Sequence, residues 1–201
     1  MSDGITDISV LAGLPELELI NLGGPFSDVS PLAELHNLKD LVIYCNVSDI
    51  TPLKGLTKLT RICLDSDYLT DISALAGMTE LEKISLYGSV KDISVFAGFT
   101  KLTEIHMPNN KVEDISALAG LTKLTWVEMP NNSITDISAL SELKDLQDLR
   151  MSDNRITDIT ALYGLTRLKF VFLSGNDIPQ EQKTTLRGKL PNCGIYFDDD
   201  Y

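Results

Sequence analysis

The sequence predicts a stacked-repeat protein of the α/β class, in which each repeat supplies one short strand and one short helical or 3₁₀ turn. An Asp followed by Ile or Val and then by Ser or Thr recurs every 21 or 22 residues. Leu, or Met or Phe in its place, recurs four, seven and ten residues after each Asp. The apolar spacing then changes from three to two, which is the change from a helix-like period to a strand period. Such a period indicates repeats that bury their apolar faces by stacking on one another.

Two polar positions recur with the same period. The first is the Asp of each repeat: Asp7, Asp28, Asp49, Asp71, Asp92, Asp114, Asp136 and Asp158. We expect each of these carboxylates to cap a turn by accepting backbone N–H groups. The second position follows each strand by three residues: Asn46, Asp67, Ser89, Asn110, Asn132, Asn154 and Asn176. An amide there can bond backbone groups of its own turn and of the next. Because both sets have structural roles, the net charge of −12 says little about partners.

Two segments carry a family resemblance. Ile134–Leu140 reads Ile-Thr-Asp-Ile-Ser-Ala-Leu, and Leu121–Leu124 reads Leu-Thr-Lys-Leu. They resemble bacterial internalin-type leucine-rich repeats and, more distantly, the 22-residue repeats of the phosphatase-regulating SDS22 class, over roughly residues 5 to 178. The resemblance implies a right-handed leucine-rich-repeat solenoid. Its parallel concave sheet would have about eight short strands plus a C-terminal cap strand, with short 3₁₀ or helical turns on the convex side. It also implies binding of other proteins through the concave sheet, often on bacterial surfaces.

The repeat pattern divides the chain into two parts. Residues 1–178 are predicted to hold the repeats, as a half repeat (1–14) and then eight strand-bearing repeats. Residues 179–201 are predicted to form a C-terminal cap helix (Pro179–Leu190), a final strand with Cys193 as a core thiol, and a solvated acidic tail. The helical N-terminal cap of internalins is not recognisable. The first strand, Leu17–Gly23, is therefore expected to be an uncovered edge, as in a fragment of a longer protein.

Composition excludes several classes of function. No apolar run is long enough to cross a membrane, and no secretion signal is recognisable. Three cysteines without a short-spaced pair, with only two histidines, predict neither a disulfide framework nor a metal site. The acidic balance argues against nucleic acid as a partner. We therefore expect no cofactor, and a monomer that binds a protein. The compartment stays open, although the family resemblance favours a secreted or cell-surface bacterial protein.

The strand period also predicts which side chains face outward from the sheet. Residues that flank the inward apolar positions should form columns on the concave face. Aromatic and arginine side chains dominate most protein interfaces, so the candidates are chosen from the aromatic and charged residues of these columns. They are Tyr44, Arg61, Lys83, Tyr87, Glu104, His106, Trp126, Glu128, Arg150, Phe170 and Phe172. Phe170 and Phe172 could instead pack beneath the C-terminal cap.

The predicted function is non-enzymatic protein recognition through the concave face. Ser85, His106 and Glu128 share a column and have the residue types of a catalytic triad, but a regular strand offers no oxyanion hole and a shallow sheet excludes little water. Cys63 is expected to be a solvent-facing thiol with mild stabilisation of its thiolate by Arg61. Two other functions remain open: an intracellular regulatory subunit of an enzyme, as in the SDS22 class, and a passive cell-surface spacer.

Overall fold

Residues 5–198 are described by a computed structural model, and within this range nine parallel strands form one open sheet in sequence order. The strands are β1 (Leu19–Gly23), β2 (Asp40–Tyr44), β3 (Arg61–Asp65), β4 (Lys83–Tyr87), β5 (Glu104–His106), β6 (Trp126–Glu128), β7 (Asp148–Arg150), β8 (Phe170–Phe172) and β9 (Gly194–Tyr196). Equivalent repeat positions are in register, as in the pairing of Ile62 with Ile84. The predicted leucine-rich-repeat solenoid is confirmed. In the described range β1 pairs with β2 alone.

Short 3₁₀ turns form the convex side. They span Ser9–Gly13, Ser30–Leu32, Thr51–Gly55, Ser73–Leu75, Ser94–Gly98, Ser116–Leu118, Ser138–Leu140 and Thr160–Leu162. Before each turn, an Oδ1 atom of the recurrent Asp accepts the N–H of the residue two positions on, at 2.7 or 2.8 Å. The bond from the Ser73 N–H lowers the pKa of Asp71, and that from Ser94 lowers the pKa of Asp92. The predicted capping role of the Asp residues is confirmed.

One elongated apolar core runs the length of the solenoid between the sheet and the turns. The recurrent Leu ten positions after each Asp is fully buried in the middle repeats, as at Leu102, Leu124 and Leu146. At the N-terminal end the same pattern is only partly covered, and Leu14 is 45% exposed. Neighbouring repeats therefore supply the burial that one repeat lacks.

The polar position after each strand is structural in only part of the chain. Asn110, Asn132, Asn154 and Asn176 each donate to carbonyls of the preceding repeat and of their own turn. Asn109, Asn131, Asp153 and Gly175 have positive φ, which turns the following Asn inward.

The prediction is wrong for Asn46, Asp67 and Ser89. Asn46 and Asp67 are exposed and Ser89 is half-buried. The loops after β2 and β4 are one residue shorter than the later loops, which leaves no room for the left-handed turn. After β3, the hydroxyl of Ser66, one position earlier, is buried and donates to the Val47 carbonyl at 2.7 Å.

The C-terminal cap matches the predicted helix but not the predicted strand register. Helix α1 spans Gln180–Lys189, and β9 follows it. Ile195 pairs with Val171, so Cys193 lies just before the strand and is half-buried instead of being its core thiol. Phe197, 1% exposed, fills the apolar place after Ile195.

The structure describes only part of the predicted half repeat and of the predicted acidic tail. The Asp198 carboxylate, predicted to be solvated, accepts the Gly175 N–H at 2.7 Å. The rest of the predicted acidic tail and the first four residues of the half repeat lie outside the described residues. No helix between residues 5 and 198 is long and apolar enough to span a bilayer.

Candidate functional site

All the predicted site residues lie on the exposed face of strands β2 to β8. In the first column Glu104, Trp126 and Asp148 are neighbours in register, followed by Phe170. In the second column Glu128 lies between His106 and Arg150. Tyr44 on β2, Arg61 on β3, and Lys83 and Tyr87 on β4 hold the outward positions of their strands, and Phe172 ends β8.

Four side chains form a continuous stack across β6 to β9. The Cζ atom of Arg150 lies 4.9 Å from the ring centroid of Trp126 and 5.0 Å from that of Phe172. The Phe172 ring stacks on Tyr196 with centroids 4.6 Å apart and planes 9° from parallel. Guanidinium–aromatic contacts of this kind are attractive because the ring faces are electron-rich. We call Trp126, Arg150, Phe172 and Tyr196 the aromatic–arginine stack.

Asp148 holds the arginine of this stack in place. The Arg150 Nε and Nη2 atoms donate to the two carboxylate oxygens of Asp148 at 2.9 and 3.3 Å. Asp148 is only 8% exposed. Its hydrogen bond raises the pKa of Arg150 above the ordinary value. This bidentate contact fixes the plane of the guanidinium between the two aromatic rings, so the stack is ordered without a ligand.

Glu128 extends the array toward the N-terminal strands. Its Oε2 atom accepts the indole N–H of Trp126 at 3.3 Å and lies 3.0 Å from Nδ1 of His106. The His106 ring meets Tyr87 edge to face, with centroids 5.5 Å apart. Side-chain contacts are therefore unbroken from Tyr87 on β4 to Tyr196 on β9.

The N-terminal half of the face carries ion pairs. Arg61 Nη1 lies 3.0 Å from the Asp40 carboxylate, and Lys83 Nζ lies 2.7 Å from that of Glu104. An open depression of about 370 Å³ lies between these pairs and the aromatic residues. It is lined by Arg61, Lys83, Ile84, Ser85, Tyr87, Glu104, Ile105, His106 and Trp126. A larger groove of about 670 Å³ lies on the convex side, but repeat turns line it and no aromatic side chain does.

Cys63 differs from the expectation. It belongs to the concave column but is only 5% exposed, because its neighbours cover it. Burial raises the pKa of its thiol and outweighs the opposite effect of Arg61. The predicted exposed thiol with a stabilised thiolate is therefore wrong.

The residue trio that suggested catalysis is only partly connected. His106 contacts Glu128, whereas Ser85 makes no side-chain hydrogen bond to another residue of the described range. Between residues 5 and 198 no cluster of His, Cys, Asp and Glu could hold a metal ion.

Two members of the array were not among the predicted site residues. Asp148 lies in the first outward column and was not chosen as a candidate, yet it is the side chain that orients Arg150. Tyr196 was missed because the final strand was aligned two residues out of register. Pairing Ile195 and Phe197 with the apolar pair Val171 and Leu173 would have placed Tyr196 beside Phe172.

Comparisons with known proteins agree with this architecture. A family model described as leucine-rich repeats (2 copies) matches residues 122–164. No curated protein sequence matches the chain. An internalin (inlF) from Listeria monocytogenes superposes with a TM-score of 0.67 at 29% identity, covering 96% of this chain and 70% of that one.

Two further structures are similar. Internalin C2 (inlC2) from Listeria monocytogenes has a TM-score of 0.82 at 28% identity, with coverage of 93% and 83%. A leucine-rich-repeat protein of Leptospira interrogans has a TM-score of 0.87 at 24% identity over 96% of this chain and 52% of its own, and so shows the shared fold. The family match, the repeat pattern and these neighbours lead to one conclusion: the chain is an internalin-like leucine-rich-repeat protein.

Proposed function

We propose that this chain is a non-enzymatic recognition module that binds a protein partner through its concave face. Leucine-rich-repeat folds commonly mediate protein–protein interaction, and proteins with such repeats are typically non-enzymatic binding modules. The observation that carries the proposal is the aromatic–arginine stack. It lies outside the core, and its Trp126 is 37% exposed. Stacking of repeats does not require a tryptophan at this position.

The order of the stack favours tight binding. A flexible side chain loses about 0.5–1.5 kcal/mol of conformational freedom when a partner immobilises it. Asp148 already fixes Arg150, and Glu128 already holds the indole N–H of Trp126. Trp, Tyr and Arg side chains at the centre of an interface contribute most of the binding energy in many complexes. A partner that covers the stack would gain apolar burial without first ordering these groups.

The remaining candidates surround this centre. Tyr44 and Phe170 are 48% and 45% exposed and extend the apolar surface to either side. The pairs Arg61–Asp40 and Lys83–Glu104 are solvent-accessible. Pairs of this kind contribute to orientation and association rate more than to affinity. We therefore assign them to the rim of the binding surface.

Affinity capture from bacterial and host extracts tests the proposal. The parent is compared with a Tyr87→Ala, His106→Ala and Trp126→Ala triple variant of equal thermal stability. A protein retained by the parent and lost by the variant supports concave-face recognition. Equal capture by both proteins, or capture of nothing, contradicts it and favours either a contact on the convex side or the spacer function.

A photo-crosslinking pair gives the matched control. A benzoylphenylalanine at Tyr44, on β2, should crosslink the captured partner. The same group at Tyr68, which is 61% exposed but lies in the loop after β3, should not. Crosslinks from both positions, or from Tyr68 alone, would place the contact elsewhere.

We also propose that the chain belongs to a bacterial protein that is secreted or displayed on the cell surface. Two of the similar structures are internalins of Listeria monocytogenes, which supports a bacterial origin. Antibody labelling of intact source cells, with fractionation, tests the location. Recovery in the cytoplasmic fraction alone would contradict it and favour the intracellular regulatory function.

A further inference from the structure

The charges on the concave face are unevenly compensated. Its outward positions hold five carboxylates and three cations: Asp40, Arg61, Asp65, Lys83, Glu104, Glu128, Asp148 and Arg150. Three carboxylates are each paired with one of the cations. Within the described range Asp65 has no ion-pair partner and Glu128 contacts only the ring of His106, apart from the Trp126 indole. The face therefore has a surplus of two carboxylates.

The two surplus carboxylates lie on either side of the aromatic rings of β4 and β5. Asp65 is the neighbour of Tyr87 in register, and Glu128 is the neighbour of His106. Burial raises the pKa of the Tyr87 hydroxyl, and the charges of Glu128 and Asp65 raise it further. Burial, and then the nearby Asp67, raises the pKa of Asp65. A positive group placed here would offset the desolvation of Asp65 and its repulsion by Asp67.

We propose that the concave face selects a basic, extended segment of its protein partner, with one Lys or Arg bound at Glu128 beside Trp126 and another at Asp65 beside Tyr87. This inference rests on the proposed function and adds the chemistry of the partner. Carboxylates supply the charge, and the exposed aromatic rings favour a cation placed over them.

Strand spacing gives the separation of the two basic groups. Asp65 is on β3 and Glu128 on β6, three strand spacings or about 14 Å apart across the sheet, and Asp65 lies two residues further along its strand, which adds an offset of about 7 Å. The two carboxylates are therefore about 16 Å apart, a distance that an extended chain covers in about five residues. The segment should therefore carry basic residues about five positions apart while it crosses the strands.

An acidic partner fits this face less well. Each cation of the face already holds a carboxylate within 3.0 Å, so an incoming acid would have to displace one.

The chain contains a single tryptophan, so fluorescence of Trp126 reports on this site directly. The probe is a capped nonapeptide of Gly, Ser and Ala with two arginines about five positions apart. The control peptide has glutamines in place of the two arginines. We expect a saturable fluorescence change with the arginine peptide alone, weakened by raising the salt from about 0.05 M to about 0.5 M. Asp65→Asn with Glu128→Gln should weaken binding about tenfold.

A matched variant separates this site from general attraction. Glu16→Gln with Asp177→Asn removes the same charge from exposed residues outside the strands and should leave binding unchanged. Ser85→Lys places a cation in the depression and should abolish binding of the arginine peptide. If the variant altered at Asp65 and Glu128 does not fold, the Ser85→Lys variant tests the proposal in its place. Equal weakening in the matched variant, equal binding of the glutamine peptide, or no saturable response overturns the inference.

The captured partner separates the two proposals. If its capture needs the concave aromatic residues but is unaffected by Asp65→Asn with Glu128→Gln, the proposed function stands and the basic segment is wrong. If capture does not need the aromatic residues, the proposed function itself fails.

Discussion

Replacing Asn154 by Ala tests the role of the buried amides in holding successive repeats together. Asn154 is 8% exposed. Its Oδ1 atom accepts the Ile134 N–H at 3.0 Å, and its Nδ2 atom donates to the carbonyls of Met129, Met151 and Ser152 at 2.9, 3.1 and 3.2 Å. Alanine removes all four contacts.

The groups that bond to the Asn154 side chain are not equally affected by its removal. The Met129 carbonyl keeps a donor in Asn132, and the Met151 carbonyl keeps one in Asn176. The buried Ile134 N–H makes no other hydrogen bond in the described structure, and leaving such a group unsatisfied costs about 1–3 kcal/mol. With the net value of one further lost bond, about 0.5–1.5 kcal/mol, we expect a loss of about 1.5–4.5 kcal/mol in the free energy of unfolding.

Asn46→Ala is the matched control, because Asn46 has the equivalent position by repeat spacing but is exposed. We expect a change of less than about 0.5 kcal/mol there. Urea unfolding at neutral pH, followed by circular dichroism, measures both variants, and equal slopes show that the same structure unfolds. A cost below about 0.5 kcal/mol for Asn154→Ala, or equal costs for the two variants, would refute the reasoning.

Three further predictions concern the face, a turn and the cap. Trp126→Ala should cost less than about 1 kcal/mol of stability, since it removes one cation–π contact and one exposed hydrogen bond to Glu128. The buried Leu124→Ala should instead cost about 2–5 kcal/mol. Urea unfolding compares them, and a cost above about 2 kcal/mol for Trp126→Ala would contradict the register. Gly88→Ala should lower the melting temperature, because a Cβ there would lie 2.8 Å from a backbone oxygen; Gly98→Ala, with nothing within 4 Å, should not. Burial raises the pKa of Cys193 to about 11. The stability that the protonated Cys193 thiol provides is therefore complete below the unfolded pKa near 9.0, and it is lost as the pH rises toward 11 and the thiol ionises. Cys193→Ala should reduce this alkaline loss in melting curves recorded across that range.

Repeat spacing predicted the concave columns well because strands have a strict period of two. Once the inward residues Val127 and Met129 are recognised, Trp126 and Glu128 must face outward. The same reasoning failed in the cap, because α1 interrupts the repeat and the number of residues between β8 and β9 no longer matches the period. Tyr196 was missed for that reason.

The prediction that the polar residue after each strand has a structural role was wrong in several loops for a different reason. Counting three residues from each strand treats all loops as equal, whereas the inward turn of Asn110 depends on the positive φ of Asn109. A shorter loop cannot make that turn, so Asn46 points to solvent although it occupies the same place in the count.

The sequence by itself determined the solenoid, its buried apolar positions, the capping Asp residues and the side chains that β1 to β8 present on the concave face. These follow from local periods, which stacking repeats transmit unchanged along the chain. Only the tertiary structure decided which side chains of that face touch, because those contacts depend on rotamers and on neighbours from other strands. Asp148 turns the Arg150 guanidinium between Trp126 and Phe172, and neighbouring side chains bury Cys63 in a column that spacing alone left open to solvent.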